Sequence, residues 1–315
     1  MAETDVCVIF NPRAGRDRAK ARFERLREVL GAKAEFRPTE GPGHGESLAL
    51  EATQSGFPRV AAAGGDGTVH EVACGILRAA RPETILEVYP LGSANDYAYT
   101  LGLDPEWRIR SDPRIQVQTV DVGAVSAPDG RQCYFVNSIG IGINGIVSQE
   151  ARRLPHLQGL ALYGTALLKA MFVRYAHPPM AVTMDGQERR VPTLALTLAI
   201  GRREGNFIMA PDAILDDGLF DYLHAGPMPR LELLWNVPRL ATGWLPSYNP
   251  RLWRGRCSHV TVSCAIPLPF HIDGELFIDH DRAVHTIDVE VVPAALRVMA
   301  KKNPKPEIRN PKPEL

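Results

Sequence analysis

The run Ala63-Gly64-Gly65-Asp66-Gly67-Thr68-Val69-His70-Glu71 constrains the fold more than any other part of the chain. A short apolar run, Arg59 to Ala63, leads into it, and a helix-like run, Val69 to Arg78, leads out. A strand that ends in glycines and opens a helix presents bare backbone N–H groups at the positive helix terminus, which suits an anion. The glycines let the backbone approach a ligand closely. Asp66 puts a carboxylate beside this phosphate cradle, a repulsive arrangement unless Mg²⁺ lies between the two. The run reads as a nucleoside triphosphate site.

The surrounding third of the chain alternates apolar strands and helices. Val6 to Phe10, Ala34 to Thr39, Val60 to Ala63 and Ile85 to Tyr89 read as strands. Asp17 to Leu30, Glu46 to Gln54 and Val69 to Arg78 read as the helices between them. Strands this apolar, separated by helices, predict a parallel sheet covered on both faces, with ligands at the carboxyl ends of its strands. Two further loops fall at such ends: Asn11-Pro12-Arg13-Ala14-Gly15 and Pro90-Leu91-Gly92-Ser93-Ala94-Asn95-Asp96. Alone, each is an ordinary turn, and Asp96 suits an N-cap as well as a metal. Their recurrence beside the Asp66 loop favours a ligand.

The texture changes near Asp121. Val120 to Val125, Gln132 to Val136, Ala181 to Met184, Val191 to Ile200, Leu219 to His224, His259 to Cys264 and Thr286 to Val292 read as short strands. Turn signals such as Asp129-Gly130, Asp185-Gly186 and Asp217-Gly218 separate them, which predicts an antiparallel sandwich or barrel-like domain. Leu160 to Val173 and Arg230 to Ala241 are its expected helices. The expected division is an α/β domain over 1–122, a β domain over 123–292, a return of 293–300 onto the first domain, and a Lys/Pro-rich tail over 301–315.

Three local patterns carry alternatives. Asp216-Asp217-Gly218 is an oxygen-rich site for Mg²⁺ or Ca²⁺, or simply a hairpin turn. In His271-Ile272-Asp273-Gly274-Glu275 either carboxylate suits a general base, or both are solvated turn acids. Gly140 to Gly145 matches G-x-G-x-x-G, but it lies after the switch to hairpins, where a dinucleotide fingerprint does not belong. No Walker A sequence is present.

Composition narrows the classes. Lys plus Arg (36) equals Asp plus Glu (36), so bulk charge gives no reason to expect a nucleic acid partner. Five cysteines without C-x-x-C spacing predict reduced, buried thiols and a cytoplasmic home. The acidic, polar N-terminus resembles no signal peptide. Leu157 to Val173 is at the short edge of a spanning helix and carries Lys169, which favours a buried or interface-lying helix. Trp235, Trp244 and Trp253, interleaved with Arg239, Arg251, Arg254 and Arg256, suggest headgroup-level contacts, with core packing the preferred reading.

Taken in order, NPRAG, GGDGTVHE, PLGSANDYA, DDGLFD and DGE resemble the diacylglycerol kinase catalytic family, which includes bacterial lipid kinases and the sphingosine and ceramide kinases. The match runs from Val6 to about Met299. G-G-D-G-T alone also occurs in NAD kinases, so the resemblance rests on Leu-Gly-Ser-Ala-Asn-Asp, Leu-Asp-Asp-Gly and Asp-Gly-Glu. It implies a Rossmann-like N-terminal α/β domain and a C-terminal β-sandwich, with the active site in the cleft between them. It implies ATP held by Asn11, Pro12, Arg13, Ala14, Gly15, Thr39, Gly64, Gly65, Asp66, Gly67, Thr68, Val69, His70, Glu71 and Ser93. Asp217 and the carbonyls of Ile214 and Leu219 would bind a structural Mg²⁺, and a second Mg²⁺ would accompany ATP near Asp66. Glu275 takes the position of the general base, with Asp273 left as the alternative, so Asp66 and Glu275 are the expected catalytic pair. Two departures stand out: Ser93 replaces a usual threonine, and Tyr99 replaces a frequent arginine.

The implied reaction is transfer of the ATP γ-phosphoryl group to a lipid hydroxyl, such as that of diacylglycerol, at the inner face of a membrane. Retention of Asp66, Asp217 and Glu275 together favours an active enzyme. A soluble-substrate kinase of the NAD kinase type and a non-catalytic nucleotide- or lipid-binding regulator are the alternatives. A homodimer is left open.

Overall fold

In the computed structural model, residues 5–12, 16–103, 112–154, 156–157, 159–244, 249–276 and 283–302 are described. Arg13, Ala14 and Gly15 of the first loop lie outside them, as does nearly all of the Lys/Pro-rich tail.

The first third forms β1 (Val6–Phe10), α1 (Arg16–Leu30), β2 (Ala34–Pro38), α2 (His44–Gln54), β3 (Arg59–Gly64), α3 (Asp66–Arg78), β4 (Ile85–Pro90) and a short α4 (Asp96–Thr100). The four strands pair in parallel in the order β2-β1-β3-β4. In β1 and β3, Val6 to Ile9 and Val60 to Ala63 are fully buried, as expected of strands covered on both faces. Three consecutive alanines in β3 leave room for α2 and α3 to lie close. Gly75 of α3 meets Ala49 and the backbone of Glu46 and Leu50, where any Cβ would collide at 2.4 Å. Helix α3 opens three residues earlier than its apolar pattern begins, because Gly65 and Asp66 already take up the helix start.

The remainder contains β5 (Ile115–Ser126), β6 (Gln132–Phe135), β7 (Ser138–Gly142), α5 (Ile143–Arg152), α6 (Gly159–Val173), β8 (Pro179–Met184) and β9 (Gln187–Pro192). Then come β10 (Ala195–Ala199), β11 (Arg203–Glu204), β12 (Phe207–Ile208), β13 (Phe220–Ala225) and α7 (Arg230–Thr242). The chain closes with β14 (Leu252–Cys257), β15 (His259–Cys264), β16 (Phe270–Ile272), β17 (Glu275–Leu276) and β18 (Thr286–Lys301). The single strand expected over Val191 to Ile200 is two strands in different sheets, broken at Thr193 and Leu194. Residues Asp185 (φ +45°) and Gly186 (φ +82°) make the tight turn between β8 and β9.

A six-stranded sheet, β14-β13-β10-β7-β16-β17, faces the β15-β8-β9 end of the larger sheet across an apolar core that includes Phe135, Ile139, Leu198, Phe220, Val262 and Phe270. The two lobes share a sheet. Strand β18 runs past the point expected at Val292: its first half pairs with β15, and its second half adds in parallel to β4, while β5 flanks it throughout. A break in register between Val292 and Leu296 turns the strand, and the Ala294 N–H there donates to buried Asp121 (2.8 Å). Among the described residues no helix is long and apolar enough to cross a membrane.

Candidate active site

Residues at the carboxyl ends of β1, β2, β3 and β4 border one crevice. Asn11, Thr39, Gly65, Asp66, Gly67, Thr68, Glu71 and Ser93 line it from the first lobe. Asp273, Gly274 and Glu275 line it from the second, with Tyr163 of α6. Gly92 lies so close to Gly65 that a Cβ on it would stand 2.4 Å from the Gly65 Cα. The loops therefore need glycine at this crossing. The side-chain amide of Asn95 (φ +53°) closes the second loop by exchanging two 2.9 Å hydrogen bonds with the Gly92 backbone.

The Glu71 carboxylate accepts the N–H groups of Gly43 and Gly45 (2.7 and 2.8 Å), so it caps α2 and fixes the Gly41-Pro42 rim. Its place in the motif serves that positioning. Gly64, Pro12, Val69 and His70 do not line the crevice. Gly64 packs on Thr68, and Val69 faces an apolar cavity in the second lobe.

Asp66 begins α3, and its Oδ1 accepts the N–H groups of Asp96 (2.7 Å) and Tyr97 (3.3 Å). Burial, then the nearby Asp96 carboxylate, pushes its pKa up from 3.8 to about 7 against those amide bonds. Asp96 is also raised, by burial, although Arg203 pairs with it. Two crowded carboxylates are the arrangement a divalent cation relieves, so this site fits Mg²⁺ on its donor chemistry.

Asp96 does more than cap a helix. It accepts Arg203 Nε (2.7 Å) and the N–H groups of Gly205 (2.5 Å) and Asn206 (3.1 Å), clamping the β11–β12 hairpin onto the first lobe. The same Arg203 lies 4.3 Å over the Tyr99 ring, so the residue that departs from the family pattern stacks on a cation.

Asp273 and Glu275, left as alternatives by the sequence, have different situations. Asp273 (φ +50°) is buried, and its carboxylate accepts the N–H groups of Val136, Asn137 and Ser138 (3.0, 2.9 and 3.0 Å) and the His70 ring (3.0 Å). Those bonds occupy it. Glu275 is half-exposed, pairs with Arg152, and lies against the Asp66 loop; a Cβ on Gly67 would stand 2.6 Å from Glu275 Oε1. Asp66 and Glu275, far apart in sequence, thus share one crevice.

Asp217 does not join them. It lies outside both cavities, beside Asp121, whose Oδ2 accepts the Gly218 N–H (2.7 Å). Asp217 Oδ2 is buried without a hydrogen bond and has only a 3.4 Å ion pair with Arg256, while Oδ1 accepts the Leu219 N–H. A buried carboxylate oxygen without a hydrogen bond, beside Asp121, fits a structural cation there.

Sequence reasoning did not foresee the apolar cavity of about 140 Å³ behind the crevice. Residues Ile143, Val147, Leu167, Leu223, Leu233 and Leu240 line it, and it meets the crevice at Asp66, Tyr163, Asp273 and Gly274. Tyr97 and Asn137 line the cavity, and Tyr97 Oη and Asn137 Oδ1 are both buried without hydrogen-bond partners, the latter packed against Gly201. The local signal was Gly140 to Gly145. Its glycines let β7 turn directly into α5: Gly142 (φ +82°) packs on Leu194, and Gly145 packs on Pro269. It shapes the cavity, which Ile143 and Asn144 line.

Helices α6 and α7 wall the cavity with one side and present Leu168, Phe172 (80% exposed), Leu231, Trp235 (70%) and Trp244 (63%, just past α7) to the outside. Core packing, preferred on sequence, does not hold for these two tryptophans: Arg239 stacks on both at 4.8 and 5.4 Å, outside the core. Trp253 is half-buried against His224 and Arg189.

Comparison with known proteins agrees with this geometry. Residues 5–125 match the diacylglycerol kinase catalytic domain, and residues 137–300 match the YegS C-terminal NAD kinase beta sandwich-like domain. A "Probable lipid kinase YegS-like" protein of Chromohalobacter salexigens is 34% identical over 276 residues, covering 81% of this chain and 83% of its own. A "Diacylglycerol kinase" of Bacillus subtilis is 25% identical, covering 89% and 95%. In fold, a diacylglycerol kinase from Bacillus anthracis str. Sterne superposes with a TM-score of 0.68 at 16% identity over 96% of this chain and 98% of its own. Yeast NADH kinase superposes at 0.51 with 12% identity, covering 96% and 84%. The chain belongs to the diacylglycerol kinase catalytic family of lipid kinases.

Proposed function

We propose that this protein transfers the γ-phosphoryl group of ATP to the hydroxyl of a membrane lipid, with diacylglycerol as the representative acceptor. One observation carries the reading: the apolar cavity of the second lobe opens into the glycine-rich crevice where Asp66 lies. A soluble nucleotide acceptor has no use for walls of Val147, Leu167 and Leu233, whereas an acyl chain does.

ATP would lie along the crevice, its phosphates toward the N–H groups at the start of α3. Asp66, the crowded carboxylate, would hold Mg²⁺, which when bound neutralises charge on the phosphates. Glu275 accepts the proton of the lipid hydroxyl as that oxygen attacks the γ-phosphorus. The bond to the bridging oxygen breaks, and ADP leaves. Arg152 keeps the Glu275 carboxylate beside Gly67. Catalysis here is mostly placement and charge neutralisation. A structural Mg²⁺ at Asp217 would hold the turn that Asp121 ties to β18.

The same helices that wall the cavity expose Phe172, Trp235 and Trp244 outward. These form the surface that meets the bilayer, so that lipid enters between α6 and α7. Incubation with γ-labelled Mg·ATP and either a lipid panel or NAD tests the reading. Label in the chloroform phase with diacylglycerol or another lipid alcohol supports it. Label transferred to NAD, or to neither, overturns it.

A further inference from the structure

His70, Cys74 and Cys133 meet behind the crevice, and phosphoryl transfer makes no use of them. His70 and Cys74 are one turn apart on α3; Cys133 comes from β6. Their ligand atoms all lie within 4.8 Å of one another, and His70 Nε2 stands 3.8 Å from each sulfur. A tetrahedral Zn²⁺ with Zn–S of about 2.3 Å and Zn–N of about 2.05 Å sets sulfur and nitrogen about 3.6 Å apart. The observed spacing is within a few tenths of an ångström of that.

The imidazole is also oriented as a ligand. Asp273 accepts the proton of His70 Nδ1 at 3.0 Å, which turns Nε2 toward the two sulfurs. Both thiols direct their S–H groups at one carbonyl oxygen, that of Tyr134 (3.5 and 3.3 Å), so the sulfurs lie on the same side of that carbonyl. The cluster is nearly closed to solvent: Cys74 is buried, Cys133 is half-buried, and the His70 side chain is 12% exposed. Two thiolates and an imidazole select soft or borderline cations over Mg²⁺ and Ca²⁺.

We infer that His70, Cys74 and Cys133 form a binding site for one Zn²⁺ ion, separate from the nucleotide crevice, that staples α3 to the β5–β6 hairpin. Binding exchanges the two thiol protons for the metal and releases them to solvent, and a fourth position remains for water. The staple's two ligands on α3 lie one and two turns from Asp66, and the Asp273 that holds His70 is two residues from Glu275. It fixes the helix that carries one half of the crevice to the strand beside the other half.

The test uses the reduced full-length chain, first with Co²⁺ as a spectroscopic probe and then with Zn²⁺ against a chromophoric chelator. The expected result is one Co²⁺ per chain with sulfur-to-cobalt charge-transfer absorption, displaced by Zn²⁺, and two fewer thiols reactive in the Zn²⁺ form. Cys74→Ser and Cys133→Ser should each weaken Zn²⁺ binding about 10²-fold or more, since even outer partners of ligands are worth 10- to 100-fold. Cys264→Ser, at a distant strand, should leave it unchanged. Absence of the charge-transfer band in the wild type overturns the inference without recourse to any variant. So does a band that survives in Cys133→Ser, or a Cys74–Cys133 disulfide that forms readily in a chain that takes up no Zn²⁺ once reduced.

Discussion

Asp66→Asn should stabilise the nucleotide-free, metal-free protein while abolishing its activity. The native environment raises the Asp66 pKa from 3.8 to about 7, through burial first and the Asp96 carboxylate second. A native state that holds this proton more tightly than the unfolded chain gains stability below the unfolded pKa and loses it as pH rises through the native one. The window is therefore about pH 4 to 7. Full ionisation across that span corresponds to a ceiling of about 4 kcal/mol at about 1.4 kcal/mol per pKa unit. Asp96 shares the titration and solvent reaches part of Asp66, so about 1 to 3 kcal/mol is expected. Asparagine keeps the oxygen that accepts the Asp96 and Tyr97 N–H groups but carries no charge. Urea denaturation of both proteins from pH 4.5 to 8 measures the difference. At pH 8 the variant should be the more stable by that amount, and the gap should close toward pH 4. A variant that is equally or less stable at pH 8 refutes the argument that Asp66 stands in an environment built for a cation.

Other substitutions probe separate parts of the site. Glu275→Gln should lower turnover by about 10²-fold or more with little change in ATP affinity, measured by initial rates and calorimetry, if the carboxylate accepts the hydroxyl proton. Gly92→Ala should destabilise the protein by about 1 to 3 kcal/mol in denaturant titration, because its Cβ would collide with the Gly65 backbone at 2.4 Å; an unchanged midpoint would mean the loops are not held at that crossing. Trp235→Ser with Trp244→Ser should reduce flotation with anionic vesicles while leaving turnover of a short-chain, water-dispersed acceptor intact. Undiminished flotation would place the membrane contact elsewhere.

The parts of this molecule that sequence exposes are local. The parallel strands of the first lobe follow from runs such as Val6 to Ile9, and the crevice loops follow from glycines at strand ends. The Asp66–Asp96–Arg203 arrangement was not legible, because it joins residues 107 positions apart through a hairpin of only two-residue strands. Asp273 and Glu275 could not be separated on sequence: both lie between two strand-like runs, and only the three N–H groups of Val136 to Ser138 show which acid is occupied. The tryptophans misled for a physical reason. Trp235 lies on the outer face of a helix whose other face walls a cavity, and residue type alone does not tell that outer face from a packed one. Similarly, Cys74 and Cys133 lack metal-type spacing, and chain folding alone brings them to His70.

Val147→Trp offers the most direct measurement of the central claim, that the acceptor of phosphoryl transfer occupies the apolar cavity behind Asp66. Val147 lies on α5, lines the cavity and does not border the nucleotide crevice. With γ-labelled Mg·ATP and diacylglycerol vesicles, the variant should pass about tenfold less label, or lower still, into the chloroform phase, the usual scale for altering a hydrophobic pocket. ATP affinity should stay within about twofold of the wild type on the same scale. Undiminished lipid phosphorylation by a folded Val147→Trp protein would contradict the account.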